Sequence, residues 1–138
     1  MKMLMILLAL LATNVQAIEV TGDEGTEKWF TCVSKMADYL GLAEVEHRVH
    51  LRGKVVVGNM EGYIATTQLE NTTLLVINTG KIKNKPRKAN RILGHEMVHV
   101  KQTIEGVSLH KRGKYKHRTH EKEAFELEGF LANECEEK

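Results

Sequence analysis

His95-Glu96-Met97-Val98-His99 sets two imidazoles four residues apart with a carboxylate between them. A helix turns about 100° per residue, so positions i and i+4 lie one turn apart on one face, and both rings can reach a single metal ion. Glu96 then projects beside that ion. Its carboxylate can take a proton from a water that the metal activates and later return it to a leaving amine. The spacing encodes metal-assisted hydrolysis, most often of a peptide bond. The same pentad on a surface helix would be two solvated histidines, so the surrounding chain has to decide.

The pentad needs a helix to carry it. Apolar and small residues from about Lys88 to Ile104 supply one, following the only proline, Pro86, and ending before Gly106. A catalytic zinc commonly takes three protein ligands and keeps a fourth position open, so a further ligand must come from downstream. The stretch from about His120 to Cys135 reads as a helix whose buried face is set by Ala124, Phe125, Leu127, Leu131, Ala132 and Cys135. By the 100° rule Glu121 lies about 55° from that direction, Glu123 about 105° and Glu126 about 165°. Glu121 is the better third ligand, with Glu123 taking its place if the helix is rotated. Glu128 also points inward, where it can orient His95 or His99, since ligating histidines usually donate their other N–H to a carboxylate or carbonyl.

The remaining elements form the frame. Trp29, Phe30, Val33, Met36, Ala37 and Leu40 recur at helical spacing between Thr26 and Leu40, and Gly41 follows where that helix would stop. Between Val45 and Ile77 come short β-rich runs, Val55–Val57, Tyr63–Thr67 and Thr72–Thr79, broken by glycines. These predict three or four antiparallel strands. The expected fold is α+β, a small antiparallel sheet packed against an N-terminal helix, the pentad helix and a C-terminal ligand helix. The strand Leu74–Ile77 is a candidate for the cleft rim, offering an edge to an extended peptide, or else an ordinary internal strand.

His95-Glu96-Met97-Val98-His99-Val100-Lys101-Gln102, followed by Glu121-Lys122-Glu123-Ala124, resembles the gluzincin zinc metallopeptidases, and among them the small bacterial members. The resemblance is confined to these two helices. It implies a zincin-like fold and one catalytic zinc held by His95, His99 and Glu121, with Glu96 as general base. The first acid of the E-x-x-A pattern falls on Glu121, in agreement with the helical-face argument. Many gluzincins place Asp or Asn after the alanine, whereas this chain has Phe125. The metzincin pattern is absent, because Glu105 stands where its third histidine would be. A donor to the developing oxyanion is also needed, and Tyr115, His117 and His120 are candidates.

Met1-Lys2, an apolar block from Met3 to Ala12, and Val15-Gln16-Ala17 read as a secretory signal peptide cleaved after Ala17. That leaves about 120 residues, enough for one domain, 18–138, and no room for two. The mature chain is then secreted or periplasmic, without stable membrane insertion or a distinct propeptide. In an oxidising compartment Cys32 and Cys135 are expected to form a disulfide. Losing Lys2 leaves nineteen basic and eighteen acidic residues. Such near-neutrality, with no aromatics interleaved in the basic run from Lys81 to Arg91, disfavours nucleic acid. That run can steer an anionic substrate toward the cleft or simply be solvated. His47 and His50 would fall on opposite faces of a strand and are read as structural or surface residues.

These observations lead to a monomeric peptidase acting on a peptide or protein substrate, which includes cell-wall peptides. Two alternatives share the scaffold: a zinc amidase acting on peptidoglycan peptides, and a non-catalytic secreted binding or inhibitor protein.

Overall fold

The structure is a computed structural model that describes residues 18–54, 63–107 and 118–136. Residues 1–17, whose sequence reads as a signal peptide, and the Val55–Val57 run lie outside the described residues. A short strand β1, Glu19–Gly22, leads through a 3-10 turn at Glu27–Trp29 into helix α1, Phe30–Tyr39. Strand β2, Arg48–Lys54, comes next, then the hairpin of β3, Ile64–Leu69, and β4, Thr72–Asn78. A single turn α2, Thr79–Ile82, precedes the long helix α3, Pro86–Ile104, and α4, Thr119–Glu134, follows.

The architecture is α+β with a four-stranded sheet in the order β1-β2-β4-β3. The sheet is mixed, which corrects the antiparallel expectation: β1 pairs parallel with β2, β2 parallel with β4, and only β3 pairs antiparallel with β4. Parallel neighbours need a crossover, and α1 supplies it between β1 and β2. The strand Leu74–Ile77 belongs to β4, an internal strand. The edge beside the pentad helix is β3.

Alternation along the strands decides which face is covered. Val49 and Leu51 of β2 and Thr73, Leu75 and Ile77 of β4 are buried, so this set faces the helices. Thr66 of β3 stands opposite Leu75 in register, which places it on the same helix-facing side. Against that face pack Val33, Met36 and Ala37 of α1 and Leu93, Met97, Val98 and Val100 of α3, forming one contiguous core with Ala124 and Leu131 of α4. Helix α1 stops at Gly41, whose φ of +78° suits a residue without a Cβ.

The Cys32–Cys135 disulfide is present. It joins α1 to the C-cap of α4 across 103 residues of sequence. Among the described residues no helix is long and apolar enough to cross a membrane.

Candidate metal centre

The pentad sits in the middle of α3, with both histidines turned toward α4. Gly94, immediately before His95, lies where these helices approach closely: a Cβ there would lie 2.9 Å from Leu131 Cβ and 3.2 Å from the Glu128 carbonyl oxygen. A larger residue would push α4 away and carry its carboxylates out of reach of the imidazoles.

The first turn of α4 delivers Glu121. Its Oε1 lies 2.9 Å from His95 Nε2 and 2.8 Å from His99 Nε2. His95, His99 and Glu121 are 6%, 8% and 7% exposed. A carboxylate this far out of water needs compensation by positive charge. The three donor atoms lie within 4.8 Å of one another, and the group could hold a metal ion.

Gln102 holds His99 from the side away from Glu121. Its Nε2 donates to the His120 carbonyl oxygen at 3.0 Å and to Glu123 Oε1 at 2.9 Å. Its Oε1 therefore accepts, and the atom 2.8 Å away is His99 Nδ1. With the proton on Nδ1, His99 presents its Nε2 lone pair to the Glu121 oxygen. Two lone pairs at that distance repel, so either a proton or a metal ion must stand between them. Two imidazoles and one carboxylate are also the donor set of a three-ligand catalytic zinc. The residues present fit a bound metal ion on both counts.

The other acids take supporting positions. Glu123 is engaged by Gln102 and lies outside the His95–His99–Glu121 group. Glu128 Oε2 stands 3.6 Å from His95 Nδ1, on the side away from Glu121. Phe125 packs edge-on against the His95 ring with centroids 4.7 Å apart. It restrains the ring by contact instead of by a hydrogen bond. Glu126 is exposed.

Glu96 points to the sheet. Thr66 Oγ1 donates to Glu96 Oε2 at 2.6 Å, the length of a hydrogen bond strengthened by a charged acceptor. Of the three candidate oxyanion donors, His120 is buried beside the His95–His99–Glu121 group, its Nε2 3.8 Å from Glu121 Oε2. Tyr115 and His117 lie outside the described residues.

The two upstream histidines are structural. His47 Nε2 donates to Thr73 Oγ1 at 2.8 Å while that hydroxyl donates to Gln68 Oε1, and burial pushes the His47 pKa down. His50 Nδ1 pairs with Thr21 Oγ1 across β1 and β2.

Sequence reasoning did not assign a role to Gln102, Thr66 or Gly94. Gln102 carried a usable signal, because three residues beyond His99 places it on the same helical face. Thr66 carried none, since its partner lies 30 residues away. Comparison of the chain with protein families, with curated proteins and with solved structures gives no match in any of the three.

Proposed function

We propose that this protein is an exported, monomeric zinc peptidase of the gluzincin kind. The observation that supports the reading most directly is the buried convergence of His95, His99 and Glu121 with Glu96 one residue from the first ligand. Those three side chains would hold the ion, which supplies Lewis acidity toward a carbonyl and lowers the pKa of water. Gln102 and Glu128 orient the two imidazoles. Thr66 occupies Glu96 Oε2, so Glu96 Oε1 remains to accept a proton from the attacking water and deliver it to the leaving amine. The open side of β3, whose pairing among the described residues is to β4, lies along the same helix and suits an extended peptide. Export rests on the signal-like character of residues 1–17, and the disulfide accords with an oxidising compartment.

The test uses the zinc-supplemented chain and a mixture of quenched fluorescent peptides. Glu96→Ala should lower hydrolysis by about 10²–10⁴-fold while one zinc per chain remains by elemental mass spectrometry. A wild-type chain that holds zinc and cleaves nothing would replace the peptidase reading with a binding or inhibitor protein.

A further inference from the structure

Three lysines from the basic run converge on one tyrosine beside β3. Lys88 Nζ donates to Tyr63 Oη at 2.9 Å and stands 4.5 Å from the ring centroid. Lys81 Nζ and Lys85 Nζ stand 5.1 and 5.9 Å from the same centroid. The three come from α2, the N-cap of α3 and its first turn, so the turn between these helices gathers them. Lys83 and Arg87 of the same run are exposed, as is Lys85. The gathered charges repel one another, and the face of one aromatic ring compensates them only in part. Among the described residues no carboxylate is paired with any of them. The phenol registers the resulting field: its pKa is lowered by the Lys88 hydrogen bond first and by the charges of Lys85, Lys88 and Lys81, against an opposing effect of burial.

The cluster lies in line with Glu96. Tyr63 meets Lys88 and Thr66 meets Glu96, so β3 runs beside α3 in the same direction. Three strand residues cover about 10 Å and eight helical residues about 12 Å, and the two rulers agree on the separation. An extended peptide lying along β3 with its scissile bond at Glu96 would bring a side chain or terminus three residues away onto the lysines.

We propose that Lys81, Lys85, Lys88 and Tyr63 form an anionic subsite of the cleft, binding a carboxylate of the substrate about three residues from the scissile bond. This selects acidic peptides, and it rests on the peptidase reading for the placement of the substrate. The carboxylate is an Asp or Glu side chain or the peptide's own C-terminus, and the experiment separates them.

Dissociation constants are measured by isothermal titration calorimetry at low salt on zinc-loaded Glu96→Ala chain, which removes turnover. The probes are acetylated, amidated hexapeptides of Ala, Gly and Ser carrying one Asp moved through the six positions. Each has an Asn counterpart, and one further peptide carries a free C-terminus as its only carboxylate. At one register the carboxylate should tighten binding by about fivefold over its neutral counterpart, with the gain lost at high salt. A side-chain source gives the gain with Asp, a terminal source with the free C-terminus. The Lys81→Met, Lys85→Met, Lys88→Met triple variant should abolish it. The Lys28→Met, Lys35→Met, Lys54→Met triple variant removes equal charge elsewhere and should keep it. No gain at any register, or equal loss in both triples, overturns the subsite. Wild-type cleavage of these peptides without acid preference sinks the subsite alone. Acid-selective binding in a chain that cleaves no peptide sinks the peptidase reading and retains the anion site.

Discussion

Gln102 Oε1 lies 2.8 Å from His99 Nδ1, and the same side chain's amide nitrogen is committed to His120 and Glu123 at the start of α4. One residue therefore contacts one candidate ligand and holds the helix bearing another. Replacing Gln102 with Leu removes both functions. Zinc affinity, measured by chelator competition, should fall by about 10–100-fold, the usual cost of losing such a partner. Gln102→Glu should restore part of the His99 contact while placing its carboxylate against Glu123.

Glu121 and Glu123 differ by two residues and should differ sharply in effect. Elemental mass spectrometry is expected to find zinc lost in Glu121→Ala. Glu123→Ala should retain it, with affinity reduced only through Gln102. Equal retention in both variants would remove Glu121 from the ligand set.

Thr66 is a positioning residue for Glu96. Thr66→Val keeps the shape of the strand and deletes the donor, and hydrogen bonds to charged groups contribute about 1.5–3 kcal/mol. Hydrolysis should slow by about tenfold or more with zinc content unchanged. Thr66→Ser should recover most of the rate, an outcome that loss of packing alone would not give.

The disulfide closes a loop of about 100 residues, for which chain entropy gives roughly 4–5 kcal/mol. Urea midpoints of Cys32→Ala/Cys135→Ala, compared with the oxidised chain, should show a loss of that order. Unchanged midpoints would mean that the helices dock without the bridge.

His47 makes stability depend on pH in a defined direction. Burial lowers its pKa in the folded state below the ordinary value of 6.5, so protonation favours unfolding. The stability carried by neutral His47 is complete above that value and declines as pH falls through it toward the lower folded pKa. His47→Gln keeps a donor for Thr73 and cannot titrate. Its denaturation curve should therefore lose less stability than wild type on acidification, the difference appearing below about pH 6.5.

The helices were legible because their signals are local. Pro86, the pentad's periodicity and Gly106 bracket α3, and the apolar stripe of α4 was enough to rank Glu121 above Glu123. The sheet was less legible. Strand β1 is four residues long and precedes α1, so the parallel pairing it creates left no pattern of its own. In β2 the residues Arg48, Val49, His50, Leu51 and Arg52 alternate polar and apolar, a strand signal present in the sequence but carried by only two apolar side chains. Thr66 and Gly94 matter through partners on other elements, and no spacing along the chain encodes such contacts.

The bridge between Cys32 and Cys135 also defines the covalent topology of the molecule. A single cut anywhere between those two cysteines leaves one molecule in two linked pieces. A cut within residues 108–117 would put His95 and His99 on one piece and Glu121 on the other, with the disulfide still tethering α4 to α1. Such a nicked chain keeps its donor set tethered under oxidising conditions and gives it up on reduction, when the two fragments can part.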